Sequence, residues 1–223
     1  MTPLAARRAQ RRRRRGTNAD MRLYSYVIEH DLGFAPNPFY KRCTLAACKP
    51  PIRKSAEIGD YVIGTGATKP GLAGYLSYWM RVDEILAFDQ YWSDPRYLRK
   101  RPFMRGARMQ RYGDNIYHRD PETGEFIQED SFHSRPDGVC NDENLNTDTG
   151  LTDRVLISGD YAYWGGTGPK IPTALADFVK RGPGYKCRFA ADRVDAFLTW
   201  LGSMPERGYI GEPAHWRYLN DEN

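Results

Sequence analysis

Two histidines and the aspartates around them are the residues in this sequence best suited to acid–base chemistry. His118 and His133 lie near Asp114, and a hairpin over residues 116–128 would bring these side chains close together. A histidine paired with a carboxylate titrates near neutral pH, so it can act as a general base or bind a metal ion. The fifteen-residue separation of the histidines matches no metal-ligand motif. We therefore predict His118, His133 and Asp114 as the catalytic residues if the chain is an enzyme, and we predict neither a metal site nor a cofactor.

The four cysteines, at positions 43, 48, 140 and 187, do not follow the pattern of a zinc site. The sequence contains no C-x-x-C pair and no histidine at zinc-finger spacing. Cys43 and Cys48 are candidate nucleophiles, but no neighbouring residue indicates a lowered thiol pKa.

The sequence shows neither a membrane span nor an export signal. No stretch approaches the ~20 apolar residues that span a bilayer, and no apolar export signal follows the first arginines. We expect reduced thiols in a cytoplasmic protein.

Aromatic residues interleaved with amides and hydroxyls form a second chemical group, suited to holding a base. A flipped base needs ring faces above and below it, and polar groups for its Watson–Crick edge. Residues 31–42 form a stiff, proline-containing loop that would present such rings. The residues predicted to bind a base or nucleotide are Phe34, Asn37, Phe39, Thr65, Tyr91, Trp92, Asn115 and Tyr117. The alternative is that these aromatic residues pack a hydrophobic core.

Charge is segregated in the middle of the chain. Between Asp94 and Asp114 there are seven basic residues and no acid. From Asp120 to Asp153 there are ten acids and one basic residue. Charge separated in this way can orient an anionic ligand, so we expect a nucleic acid or nucleotide partner. Protein partners are not identified by the sequence, and an accessory subunit whose loop over residues 31–42 contacts a protein is a further alternative. The alternative is that the two stretches solvate opposite faces. The predicted phosphate-binding residues are Arg96, Lys100, Arg101 and Arg105.

The net positive charge of the chain belongs to its first twenty residues. They carry seven arginines and one acid, a net charge of +6, whereas the whole chain carries +5, which leaves −1 for residues 21–223. Because residues 1–20 have no apolar run and no periodicity, we predict a disordered tail there and a single domain over residues 21–223. Either the tail adds sequence-independent affinity for phosphates, or Met21 is the true start and the tail is an addition.

Short strands followed by helices must position these residues. Alternation of apolar and polar residues over 72–82 predicts a half-buried antiparallel strand, and residues 22–30, 61–64 and 154–163 also favour strands. A helix is predicted after Asp192 as its N-cap, ending at Gly202. Strands early and helices late predict an α+β fold, with a mostly antiparallel sheet or a small β-barrel and flanking helices.

Several stretches are specific enough to indicate a family. They are RLYSYV at residues 22–27, GFAPNPF at 33–39, GDYVIGTG at 59–66, YWSDPR at 91–96, GDNIYH at 113–118 and SFHS at 131–134. Together they resemble the nucleotide modification associated domain 2 family, over about residues 21–172. This resemblance implies a link to systems that alter nucleic-acid bases, and it implies no particular reaction or catalytic residue.

A second, weaker resemblance is to PUA-like domains of the EVE and YTH type, which bind a flipped, modified base in an aromatic pocket. On this match a PUA-like barrel would line its pocket with the loop of residues 34–39, with Thr65, and with Trp79 or Trp92. The chain departs from the tryptophan spacing of that cage. We expect a protein that binds a modified base or nucleotide in an aromatic-lined pocket. The alternative is an enzyme that acts on a modified nucleotide or base through a His/Asp cluster.

Overall fold

The computed structural model describes residues 21–68 and 71–220. The predicted tail of residues 1–20 lies outside the described residues. Within the part of the chain that the structure describes, no helix is both long and apolar enough to cross a lipid bilayer.

A six-stranded mixed sheet forms the centre of the fold. Its strands are β1 (Leu23–Ile28), β3 (Tyr61–Gly66), β4 (Leu76–Arg81), β9 (Asp160–Tyr163), β10 (Tyr185–Lys186) and β11 (Gly208–Tyr209). They lie in the order β10-β1-β3-β4-β9-β11. The central pair β1 and β3 is parallel, whereas β4 is antiparallel to both of its neighbours. The carboxyl ends of β1 and β3 therefore lie at the same edge of the sheet.

Two smaller antiparallel sheets accompany it. One contains β2 (Cys43–Leu45), β8 (Arg154–Ser158) and β5 (Glu84–Ala87), and the other is the hairpin of β6 (Tyr117–Arg119) and β7 (Phe126–Gln128). This hairpin confirms the reversal predicted over residues 116–128. The α+β class is also confirmed. The strands of the described residues form open sheets and no closed barrel, so the PUA-like barrel is not confirmed.

Within the described residues, five α-helices and four short 3₁₀ helices connect or cover the sheets. The α-helices are α1 (Pro50–Ser55), α2 (Phe88–Ser93), α3 (Arg108–Arg111), α4 (Asp142–Thr149) and α5 (Ala191–Gly202). Four 3₁₀ helices lie at Pro95–Lys100, Gly165–Thr167, Thr173–Phe178 and Ala214–Asn220. Helix α5 buries Val194, Phe197 and Leu201, as its 3.6-residue period predicts, although its N-cap is Ala190 and not Asp192.

The two faces of the central sheet bury different sets of side chains. Tyr26 and Tyr78 pack against the three-stranded sheet of β2, β8 and β5, in one cluster with Cys43 of β2. Leu23 and Trp79 point to the opposite face and pack with α5. This alternation follows the two-residue period of a strand, and it gives three layers with the three-stranded sheet on one side and α5 on the other.

Candidate active site

Cys48 lies at a sharp turn between β2 and α1. Its φ angle is 58° and that of Lys49 is 45°, which places both residues in the left-handed region. Residues other than glycine adopt this conformation rarely, and they do so preferentially at functional sites. Pro50 and Pro51 then open α1, because a missing N–H costs nothing in the first helical turn. The turn presents the half-buried thiol at a strand-to-helix junction, the same kind of position that holds the nucleophile of α/β-hydrolases.

His133 stands between this thiol and a buried carboxylate. Its Nε2 atom lies 3.7 Å from Sγ of Cys48, and its Nδ1 atom lies 2.9 Å from Oδ2 of Asp148. The His133 side chain is 13% exposed and that of Asp148 is 1% exposed. Sulfur, imidazole and carboxylate thus follow one another in the order found in cysteine–histidine–aspartate triads, where the carboxylate orients the imidazole and the imidazole moves the proton.

A tight turn holds the imidazole in place. Residues 131–134 follow β7, and the backbone N–H of Ser134 donates to the carbonyl of Ser131 over 3.0 Å. The Ser134 hydroxyl also donates to the carbonyl of Glu129, which closes the loop. From α4, the amide of Asn144 donates to the carbonyl of His133 over 2.9 Å. The histidine is therefore fixed from both sides of the turn.

Asp148, in the last turn of α4, is held by several donors. Its Oδ1 accepts the backbone N–H of Cys48 over 2.6 Å, and its Oδ2 accepts the hydroxyl of Tyr117 over 2.8 Å. The fully buried Arg53 of α1 donates to the backbone carbonyls of Cys48 and Asp148, and its guanidinium lies 3.9 Å from Oδ1 of Asp148. The same buried groups thus fix the carboxylate and the cysteine relative to each other.

The environment of His133 favours its charged form. Burial lowers the pKa of this histidine, but hydrogen bonds to Asp148 and Cys48 outweigh burial and raise the pKa to about 9. At neutral pH the imidazole is therefore protonated, and its Nε2 atom lies 3.7 Å from Sγ of Cys48. The arrangement can supply a nucleophile and a proton donor at once.

The same three residues are also a donor set for a metal ion, since their ligand atoms lie within 4.8 Å of one another. However, His133 directs Nε2 to the sulfur and Nδ1 to the carboxylate, so one ion would have to give up one of these contacts. Both carboxylate oxygens of Asp148 already accept hydrogen bonds. The geometry therefore fits a proton relay better than a metal centre.

Aromatic rings cover one side of the imidazole. The ring centroid of Phe34 lies 4.5 Å from that of His133, and the ring of Phe132 packs edge-on against Phe34 and Tyr112 at 5.6 and 5.4 Å. Phe34 is buried, whereas Phe132 leaves 45% of its surface exposed. Phe132 therefore offers an open apolar surface beside His133.

The structure separates the predicted catalytic residues. His133 pairs with Asp148, whereas Asp114 is buried and accepts hydrogen bonds from Thr44 and Tyr91 over 2.6 and 2.8 Å. His118 pairs with Glu129 and stacks on Trp92. In the described part of the chain no hydrogen bond joins any two of His118, His133 and Asp114. The histidine–carboxylate pair exists, but its carboxylate comes from α4 and its third member is Cys48.

Most of the residues predicted to bind a base lie in the interior. Asn37, Thr65, Tyr91, Asn115 and Tyr117 are 0% exposed, and Phe34 and Phe39 are nearly so. Most of their polar atoms bond to other interior groups, as Thr65 does to the carbonyl of Tyr26 and the amide nitrogen of Asn115 to that of Tyr91. The Oδ1 atom of Asn115 is buried without a hydrogen-bond partner among the described residues. A base could reach these side chains only if the core opened. Packing of the three layers accounts for their aromatic and polar character.

Two of the four predicted phosphate ligands already have full sets of partners. Lys100 is 1% exposed, and its Nζ donates to four oxygen atoms, of Asn37, Arg42 and Thr44, at 2.6 to 3.1 Å. Burial lowers its pKa to about 8. Arg96 forms ion pairs with Glu84 and Asp94 at 2.8 and 2.6 Å. Lys100 is therefore shielded from solvent, whereas Arg96 is 54% exposed and its charge is offset by two carboxylates.

The other two predicted phosphate ligands lie together at a surface pocket. Its volume is about 440 Å³, and its lining includes Trp92, Arg101, Phe103, Arg105, Glu129 and Asp130. Arg101 lies over the Trp92 ring at 3.6 Å from the centroid, and His118 stacks on the same ring at 4.2 Å. Phe103 is 56% exposed. The pocket thus combines one open ring with charges of both signs.

From the sequence, Cys48 is identified as a candidate nucleophile but is not placed in the site, and Asp148 is missed. Cys48 had a usable signal, because a cysteine followed by Lys49 and two prolines marks a forced turn into a helix. Asp148 had none, since residues 139–153 look like a polar loop and in fact contain α4. No local pattern indicates which of the ten acids between Asp120 and Asp153 meets the histidine.

Comparison with known proteins gives one match. The model of the family called nucleotide modification associated domain 2 matches residues 20–220. No curated protein and no solved structure matches the chain. The family match confirms the resemblance of the strand and loop motifs and extends it through α5 to the last 3₁₀ helix. The chain belongs to the nucleotide modification associated domain 2 family, and its role is associated with nucleotide modification.

Proposed function

We propose that this protein is a nucleotide-modifying enzyme that uses Cys48 as a covalent nucleophile. His133 moves the proton, and Asp148 orients the imidazole. The observation that carries the proposal is the position of His133 between thiol and carboxylate. Its Nε2 atom lies 3.7 Å from Sγ of Cys48, and its Nδ1 atom lies 2.9 Å from Oδ2 of Asp148. Membership of the family supports a nucleotide or nucleic acid as the substrate.

Acyl transfer is the reaction that this order of groups supports best. The Cys48 thiolate donates an electron pair to the carbonyl carbon of an amide or ester on the nucleotide, and the carbonyl π pair moves onto oxygen. When that pair returns, the bond to nitrogen or oxygen breaks, and the leaving group takes the proton from Nε2 of His133. Water then attacks the thioester and gives a proton to His133, and the sulfur leaves as a thiolate. The net reaction is hydrolysis of the acyl group.

The aromatic surface beside the triad supports a planar substrate. The ring centroid of Phe132 lies 6.2 Å from that of His133, and nearly half of this side chain is exposed. Aromatic side chains bind unstacked bases through their faces. A base resting on Phe132 would lie beside the imidazole of His133.

The test uses the full chain and an N4-acetylated cytidine monophosphate as the probe. We expect acetate release, and a peptide containing Cys48 that gains one acetyl group in rapidly quenched samples. Cys48→Ala should abolish both signals, and Asp148→Asn should lower the rate by roughly 10²- to 10⁴-fold. Cys140→Ala is the matched control and should leave the rate unchanged. Acetate release by Cys48→Ala at the wild-type rate would contradict the proposal, as would a wild-type chain that neither releases acetate nor forms the adduct.

A second candidate function is recognition of a modified base at the pocket of Trp92. The observation that favours it is the open ring of Phe103 beside Arg101 and Arg105. Both faces of Trp92 are engaged by Arg101 and His118, so Phe103 is the ring available for stacking. We expect Phe103→Ala to weaken binding of a base-modified single-stranded oligonucleotide, with Ile210→Ala, another exposed apolar side chain, as the control. Equal affinities of both variants would exclude this candidate.

A further inference from the structure

A second pocket lies at the carboxyl ends of the parallel strands β1 and β3. Its volume is about 430 Å³, within the range of small-molecule sites. It is lined by Gly66 and the two residues that follow it, and by residues 170–171 and 180–182. Ligands of open sheets commonly bind outside the carboxyl ends of parallel strands. None of these lining residues belongs to the triad, so this is a separate site.

The charges at this pocket are all of one sign. Lys170, Lys180 and Arg181 contribute to its lining, and none of the described lining residues is acidic. The side chains of Lys170 and Arg181 form no ion pair or hydrogen bond with any residue between 21 and 68 or between 71 and 217. The ammonium of Lys180 donates to the carbonyls of Arg181 and Gly182, which folds it back over its own loop. The pocket therefore concentrates positive charge that the described protein groups leave uncompensated.

Backbone and hydroxyl groups complete the lining. Gly74 and Gly182 have φ angles of 83° and 66°, a conformation that glycine adopts without steric cost, and they bring main chain without side chains to the pocket. Thr68 and Thr173 add hydroxyl groups. Main-chain N–H groups and hydroxyls beside cations are the donors that phosphate oxygens accept.

We propose that this pocket binds the phosphate group of a small organic phosphate such as a mononucleotide. Three cations around one concave volume suit a compact anion, whereas a polynucleotide backbone needs cations spread along a track. None of the described lining residues is aromatic, so recognition rests on the phosphate and not on stacking of the base. The site goes beyond the thiol chemistry of Cys48 and does not depend on it.

The experiment measures binding of AMP, adenosine, inorganic phosphate and a ten-nucleotide single strand to the full chain by calorimetry. We expect saturable binding of AMP and phosphate, and none of adenosine. The double variant Lys170→Met/Arg181→Gln should weaken AMP binding by about tenfold or more, because each removes a charge-assisted contact. The control Lys41→Met/Arg188→Gln removes the same charge outside the pocket and should leave AMP affinity unchanged.

Three results would overturn the proposal. The first is an equal loss of AMP affinity in both double variants, which would show a general charge effect. The second is wild-type protein that binds neither AMP nor phosphate. The third is a single strand that binds through Lys170 and Arg181 while AMP does not, which would assign the pocket to a polynucleotide. Circular dichroism of each variant checks that it is folded. Because the assay is binding, it is independent of acetate release at Cys48.

Discussion

The Sγ atom of Cys48 lies 3.7 Å from Nε2 of His133, although 85 residues separate the two in the chain. The contact joins a strand-to-helix turn to a loop that follows the β6–β7 hairpin. Asp148 fixes both partners, since it accepts the backbone N–H of Cys48 and bonds to the imidazole. One buried carboxylate therefore sets the distance between the nucleophile and its proton carrier.

Tyr117→Phe should weaken, without abolishing, the set of hydrogen bonds that holds the Asp148 carboxylate. The Tyr117 hydroxyl donates to Asp148 over 2.8 Å and accepts from Gln128 over 3.2 Å, so its loss removes one charge-assisted hydrogen bond and leaves the Gln128 amide without that partner. We expect a free energy of unfolding lower by about 1–3 kcal/mol, measured by urea denaturation. Tyr75→Phe serves as the control. Unchanged stability of Tyr117→Phe would show that the hydroxyl does not hold the carboxylate.

His133 should make stability depend on alkaline pH. Its pKa in the folded protein is raised from 6.5 to about 9, so its stabilising contribution is fully present below pH 6.5 and is lost as the pH rises through 9. The shift corresponds to about 3 kcal/mol. Urea denaturation at several pH values should show wild type more stable than His133→Gln at pH 6, with the difference shrinking by pH 9.5. Because Lys100 is present in both proteins, its own titration cancels. A difference that stays constant with pH would contradict the assignment.

Lys100→Met should destabilise the fold strongly. The buried ammonium is the shared donor to the backbone carbonyl and side-chain oxygen of Asn37, to the carbonyl of Arg42 and to the hydroxyl of Thr44. Removing it leaves these buried acceptors without that donor, at a cost of about 3–5 kcal/mol. Lys54→Met, on the exposed side of α1, is the matched control. If Lys100→Met unfolded at the wild-type midpoint, Lys100 would be a surface ligand and not a structural residue.

Local sequence patterns predicted the elements whose stability is local. The alternation over residues 72–82 predicted β4, the hairpin expected over residues 116–128 is the β6–β7 hairpin, and the helix expected after residue 192 is α5. Each of these signals lies within one element and its adjoining turn. The α+β class followed from the order of such elements.

The burial of the rings in the loop over residues 31–42 could not be predicted from the sequence, because segments far away in the chain cover them. Phe39 stacks on Trp216 with ring centroids 5.7 Å apart, and Tyr112 stacks on Trp216 with centroids 6.1 Å apart. The last 3₁₀ helix therefore covers rings that the loop alone would expose. Likewise, the contact between Cys48 and Asp148 spans 100 residues, and only the packing of α4 against α1 creates it.

The most direct test of the triad is the rate at which each cysteine of the full chain reacts with iodoacetamide at pH 7, followed by peptide mass spectrometry. Cys48 should react about tenfold or more faster than Cys140 and Cys187, because its Sγ atom lies 3.7 Å from Nε2 of His133, which can take up the thiol proton. Cys43 is 0% exposed and should stay unlabelled, since burial also raises its pKa. His133→Gln should bring Cys48 down to the rate of Cys140. Equal rates for the three cysteines in wild type, or a Cys48 rate unaffected by His133→Gln, would contradict the proposed nucleophile.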